Sequence, residues 1–415
     1  MQQVPPKNIL FISYDGMTDP LGQSQVIPYL AGLTKYGYRF TILSCDKPAK
    51  YASGKDYVEK LLLPYPIKWH SIPYHKSPPV LSAVYDMMQL KKLIRTLQKE
   101  EVFDMVHTRP GVPTLLALWM KKKYGTKFFN DIRGFWADER VDGGMWNLKN
   151  PLFKKIYSFF KNHENECIRL ADHNNCLTFA AKKEIQSWPQ IPNQPVPIDV
   201  IPCSADLNLF DPAKIDPAQK EIFRRKLGIE KTDLIISYLG SIGGWYLTDD
   251  MLRFCKQIAD RIPAAKFLFI SPHRHEQILA AAAKYHLPEQ RILTTHAARH
   301  EVPVLLSFSD YSIFFIKPCY SKISSSPTKH GEIMAMGIPV ITNSGVGDVK
   351  EIVEKYNAGF VLDDFSDESY LQVIEKLKND VHLDALKIRA GAREFYSLSN
   401  AVELYKKGYD KVLRS

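Results

Sequence analysis

The chain has 415 residues, 45% of them apolar and 24% charged, and its 55 Lys plus Arg against 45 Asp plus Glu leave a net +10. These fractions exclude a disordered, collagen-like or coiled-coil protein, and no apolar run, that over residues 114–120 included, reaches the ~20 residues needed to cross a bilayer. The length predicts two or three packed units, and the cationic excess calls for a nucleotide phosphate, an anionic membrane surface or nucleic acid as partner.

Residues 1–7 are polar and no apolar signal segment follows, which predicts that no leader is cleaved. A compact apolar run at 8–13 reads as the first strand, then a helix over about 24–35 with Ser24 as its cap, then a strand at 38–43. Further strands are predicted at 105–107, 127–131, 174–178 and 196–201, separated by helices at 83–100, 114–124 and 152–170. Residues 206–220 are polar, carry two Asp-Pro steps and read as a linker. Strands then resume at 234–239, 266–270, 291–294, 311–316, 339–342 and 359–362, and an amphipathic helix at 401–413 ends the chain. Continuous apolar strands between helices mean parallel sheets covered on both faces, so the fold class is α/β with two doubly wound domains. The six cysteines (Cys45, Cys167, Cys176, Cys203, Cys255, Cys319) form no C-x-x-C pair and read as reduced thiols serving as small hydrophobes, the pattern of a cytoplasmic chain.

In such sheets ligands sit beyond the carboxyl ends of the strands, so four turns become candidates. Residues 14–25 lack G-x-G-x-x-G, yet Gly16 and Gly22 permit close backbone approach to a ligand. Residues 131–146 gather Arg133, Asp138, Glu139, Arg140, Trp136 and Trp146 directly after a strand. Exposed indoles beside charged groups suit a sugar: ring faces stack on C–H surfaces while charges fix hydroxyls. Residues 240–250 open with Gly240 and Ser241 and offer a glycine-rich turn able to approach a phosphate, with Trp245 or Tyr246 to flank a base or sugar. Residues 317–348 are the most specific: Ser324 to Thr328 read as a helix-capping run ringed by Lys317, Lys322 and Lys329, a site for a diphosphate. Glu332, in the helix that follows, is placed to take a vicinal diol such as a ribose.

At this fourth turn the sequence resembles the retaining glycosyltransferases of family 4. The resemblance rests on Ser325-Ser326-Pro327-Thr328-Lys329, Gly331-Glu332, the stretch Met336 to Ile341, and residues 345–348. It extends to residues 19–25, 131–146 and 240–247, and to Ile201-Pro202-Cys203 with Asp206 and Phe210, so it covers nearly the whole chain. It implies a GT-B fold: an N-terminal acceptor-binding domain over 1–205, a nucleotide-sugar-binding domain over 206–395, and a last helix over 396–415 crossing back onto the first. It implies a nucleoside-diphosphate sugar, UDP-linked in the expected case, as co-substrate with no cofactor and no metal, and a glycan or lipid-linked acceptor in cell-surface polysaccharide assembly.

The family's paired glutamates would fall at Ser324 and Glu332, so only the second is present, and its Gly-Arg and Lys-Gly pair after the first C-domain strand is missing. Lys317, Lys322, Lys329 or Arg274 must then supply the charge that the diphosphate meets. Lys329, with Gly22, Arg133, Asp138 and Glu139, is expected in catalysis; Trp136, Arg140 and Trp146 are expected on the acceptor; Gly240, Ser241 and Thr328 are expected on the donor. A catalytically inactive nucleotide-sugar-binding protein and a non-transferase GT-B enzyme are the competing readings.

The helix at 152–170 mixes Phe153, Ile156, Phe159 and Phe160 with Lys154, Lys155 and Lys161; Lys149 just ahead of it and Lys121, Lys122 and Lys123 are grouped with it. Such a helix either rests on an anionic leaflet, making the protein peripheral on the inner face of the plasma membrane, or turns its apolar residues inward and leaves its lysines solvated. The lysines are otherwise dispersed and no nucleic-acid-binding motif is present, so nucleic acid ranks last among the anions.

Overall fold

In a computed structural model, which describes residues 6–191, 195–272, 275–379, 381 and 383–414, the chain forms two compact units. One comprises Met1–Pro202 with Leu398–Ser415, the other Cys203–Ser397. Seven strands build the first: β1 (Lys7–Ile12), β2 (Tyr38–Asp46), β3 (Ile67–Pro73), β4 (Met105–Thr108), β5 (Lys127–Ile132), β6 (His173–Cys176) and β7 (Ile198–Val200). They pair in parallel in the order β3-β2-β1-β4-β5-β6-β7. Alternation along β1 divides the core: Ile9 and Phe11 face the helices Ile27–Thr34 and Leu398–Arg414, whereas Leu10 and Ile12 face the helix Leu81–Glu100. Both faces are covered, which explains the unbroken apolar runs.

The second unit has β8 (Leu234–Leu239), β9 (Ala265–Ile270), β10 (Ile292–Thr295), β11 (Tyr311–Ile313), β12 (Val340–Asn343) and β13 (Gly359–Leu362). These are again parallel, in the order β10-β9-β8-β11-β12-β13. Each sheet therefore reverses its winding once, between β1 and β4 in the first and between β8 and β11 in the second. Five of the six cysteines are buried, as expected of small hydrophobes.

Several local readings are corrected. Residues 206–220 are not a linker. Asp211 and Asp216 cap the short helical turn Pro212–Lys214 and the helix Pro217–Leu227, and Phe210 is fully buried. Asp-Pro here marks helix starts, because Asp caps and Pro tolerates the first turn. The first helix begins at Pro20, so Ser24 lies inside it and its hydroxyl donates to the Pro20 carbonyl (2.8 Å). The serines before Thr328 do not cap the helix Thr328–Ala335 either: Ser324 donates to the Ser321 carbonyl (2.8 Å), and Ser326 Oγ accepts from the Cys203 amide (3.2 Å). The edge strand β3 and the helix Pro48–Leu62 were not foreseen; both interleave polar with apolar residues, and neither is deeply buried.

Candidate functional site

The strand order reverses between β8 and β11, and in a doubly wound sheet the carboxyl ends at such a reversal are where ligands are expected. The loops that leave these two strands are stitched together: the Leu247 amide donates to the Phe315 carbonyl (3.0 Å) and the Lys317 amide to the Trp245 carbonyl (2.9 Å). Asn343, at the end of β12, fixes the second loop by accepting from the Ile316 amide (2.8 Å) and donating back to its carbonyl (2.9 Å).

Into this frame the first turn of the helix Thr328–Ala335 delivers Lys329. Its ammonium lies 3.8 Å from the ring centre of Tyr246 and 4.5 Å from that of Tyr238. The nitrogen is buried and has no hydrogen-bond acceptor among the described residues. Gly240 closes the other side with φ +119°, backbone that favours glycine, and a Cβ there would fall 2.9 Å from the ammonium. Burial pushes the Lys329 amine down to about 7, the nearby Glu332 charge opposing it. Glu332, one turn on, is 5% exposed and receives the Arg299 guanidinium at 2.8 Å. Burial raises its carboxyl, while Arg299 and Lys329 pull the other way. Lys322 is also buried, its ammonium 3.8 Å over the Trp245 ring.

The second unit thus brings Gly240, Lys322, Lys329 and Glu332 together and leaves Lys317 and Ser241 exposed nearby. Thr328 opens the helix half-buried and Ser324 lies buried just upstream, while Arg274 lies outside the described residues. Sequence reasoning missed Arg299, 33 positions from its carboxylate partner, and the ring wall made by Tyr238. No local signal marks them, since a strand tyrosine reads as core.

The candidates of the first unit are engaged differently. Gly22 is buried, and a Cβ on it would fall 2.6 Å from the Gly16 carbonyl oxygen and from Met17 Cα. Arg133 donates to the Tyr405 hydroxyl and to Gln25 Oε1, each at 3.2 Å. Asp138 is buried and takes the Tyr157 hydroxyl and the Lys161 ammonium, both at 2.8 Å. Trp136 and Trp146 are not the exposed platforms expected: they pack on each other and on Phe160, and the Arg140 guanidinium stacks 3.6 Å over Trp136. Burying indole area against a phenyl ring outweighs leaving it in water. Glu139 is half-buried beside Gly134. The first unit also holds a dyad that the sequence did not reveal. The fully buried Asp86 accepts from the Tyr14 hydroxyl (2.9 Å) and contacts His75 Nδ1 (2.5 Å), where the chain leaves β1 and β3.

Three solved structures share the whole architecture. A glycosyltransferase from Rickettsia africae superposes with TM-score 0.70 at 18% identity, covering 99% of this chain and 100% of its own. Sucrose-phosphate synthase from Thermosynechococcus elongatus gives 0.72 at 13%, covering 98% and 99%. Anabaena HepE, in complex with UDP and glucose, gives 0.68 at 14%, covering 97% and 99%. The fold is GT-B. Within this GT-B chain, residues 219–394 match the family model of glycosyl transferases group 1, so the second unit carries that sequence pattern. No curated protein sequence matches the chain. Among the described residues no helix is long and apolar enough to cross a membrane.

Proposed function

We propose that the protein is a retaining, metal-independent glycosyltransferase of family 4 that moves a sugar from a nucleoside-diphosphate sugar to a hydroxyl of a glycan or lipid-linked acceptor in cell-surface glycan assembly. The observation that carries this reading is the Lys329 ammonium, buried, without an acceptor among the described residues, and held beside Gly240 where the strand order reverses at β8 and β11. An unpaired buried cation is costly, and a diphosphate supplies the missing anion. In this reading the second unit holds the donor: Lys329 and Lys322 take the diphosphate, Gly240 admits it, and Glu332, braced by Arg299, accepts from the ribose hydroxyls. The first unit holds the acceptor.

During transfer the bond from the anomeric carbon to the phosphate oxygen breaks, and the acceptor oxygen bonds to that carbon on the same face. The acceptor's proton passes to the departing phosphate, whose growing charge the two lysines stabilise. No strong protein base is required. UDP is the first nucleotide to test, because HepE binds it within the same fold. Thermal shifts with UDP, GDP, ADP and their monophosphates at millimolar concentration should show one diphosphate raising Tm selectively, with stabilisation of about 2.7 kcal/mol at a hundred-fold excess over Kd. No shift with any of them would overturn the reading.

A further inference from the structure

Five of the exposed large apolar side chains fall within nine residues: Val80, Leu81, Val84, Tyr85 and Met88. Leu81, Val84, Tyr85 and Met88 recur at helical spacing on the helix Leu81–Glu100, opposite the buried Asp86, Leu90 and Ile94. Leu81 is 67% and Met88 55% exposed, and the five lie together as one patch, whereas apolar residues scattered singly on a surface are ordinary. Farther along, Lys91, Lys92, Arg95 and Lys99 take over. On the neighbouring helix Val112–Tyr124, Trp119 is ringed by the Lys91, Arg95 and Lys123 cations at 4.7, 5.6 and 5.7 Å. Among the described residues none of these five cations has a carboxylate partner, whereas Lys121 and Lys122 nearby do. Between residues 81 and 99 the helix has one acid, Asp86, and that one is buried.

An apolar stripe that runs into unneutralised cations, with a tryptophan between them, is complementary to one kind of surface. Acyl chains cover the stripe, anionic headgroups meet the lysines, and the indole sits at the boundary. We propose that the exposed face of the helix Leu81–Glu100, with Trp119 and Lys123, docks the protein on an anionic lipid bilayer. This assigns the docking to a different helix from Pro151–Leu170. There Phe160 packs inward on Trp136 and Trp146 and Lys161 is neutralised by Asp138 and Glu164, which leaves Leu152, Phe159 and Leu170, spread along the helix, as the exposed large apolar side chains, against five at 80–88. The surface rests on the proposed function only for its purpose, to bring the enzyme to a lipid-linked acceptor, and its test needs no nucleotide.

Full-length protein is sedimented with vesicles of phosphatidylcholine alone or with 30% phosphatidylglycerol, at 0.05 and 0.5 M NaCl. Binding is expected only to the anionic vesicles, and high salt should weaken it at least tenfold, because screening shortens the reach of the cations. Leu81→Gln with Met88→Gln, and separately Lys92→Glu with Arg95→Glu, should each cut vesicle affinity at least tenfold. Their Tm should stay unchanged, since all four side chains are solvent-facing. Lys154→Glu with Lys155→Glu should change binding less than threefold. Absence of wild-type binding, retention in both pairs of variants, or loss in the Lys154–Lys155 pair would overturn the assignment. So would a concentration-dependent dimer that disappears with Leu81→Gln and Met88→Gln. Nucleotide-induced stabilisation, measured on the same samples, separates failure of this surface from failure of the donor site.

Discussion

Each unit buries an ionic cluster, and the two are built on opposite terms. In the first, Asp131 accepts from Asn175 (2.6 Å) and Tyr405 (2.9 Å) and lies 3.3 Å from His107 Nε2. Burial alone would raise its carboxyl, but Arg133, His107 and Arg109 hold it down at about 2. His107 is itself tied to the Tyr409 hydroxyl (2.6 Å), so the network joins β4 and β5 to the terminal helix Leu398–Arg414. In the second, Lys329 has ring faces around its ammonium and no acceptor among the described residues. A cluster that satisfies itself is a staple, whereas one that leaves a charge open is a socket. The difference lies in stoichiometry, since both are equally deep.

That contrast breaks if the first cluster is dispensable. Asp131→Ala strands His107, Asn175 and the Tyr405 hydroxyl in the interior and should cost about 3 kcal/mol. Hydrogen exchange should show the loss in β4, β5 and the terminal helix, with amides of β8 and β11 as protected as before. Uniform loss across both units, or none, would contradict the division. Lys329→Met tests the other side and should have two effects of opposite sign. Nucleoside-diphosphate affinity should fall 10–100-fold, about 1.4–2.8 kcal/mol. Tm in the absence of ligand should hold or rise, because an unpaired buried ammonium has been removed. A fall in both would make Lys329 a structural residue.

The sheets were legible because a strand buried on both faces must be a continuous apolar run, and β1, β8 and β9 are. The edge strand β3 carries Lys68 and His70 and is only half-buried, so periodicity had little to detect. The Asp-Pro steps before Pro212 and Pro217 were misread because cap and turn use the same residues; buried Phe210 decides between them. Of the candidate site, Gly240, Lys322, Lys329 and Glu332 were legible, since they lie in the segments that leave strands or open the next helix, where polarity is unusual. Arg299, Tyr238 and the His75–Asp86 dyad were not, because each acquires its role from a partner on another element. The indoles of Trp136 and Trp146 read as exposed for the same reason: Phe160 lies on a separate helix.

The smallest expected effect sharpens the contrast most, because it turns the open charge into a proton count. Lys329 titrates near 7 in the fold against 10.5 ordinarily, burial being the main cause. Between those values the unfolded chain binds the proton and the folded one does not, so this residue opposes folding increasingly as pH falls from 10.5 and fully below 7. A bound diphosphate reverses the preference by supplying the anion, which raises the amine. Binding above pH 7 must then take up a proton, about 0.9 per site at pH 8, and affinity should fall by up to tenfold per pH unit. Calorimetric titration with UDP between pH 7.5 and 9, in two buffers of different ionisation enthalpy, reads both quantities above the range where the phosphate itself titrates. Lys329→Met should show neither uptake nor slope. A wild-type affinity that stays level across that range would mean that the ammonium is already charged without ligand, and the socket would then have an internal counter-ion after all.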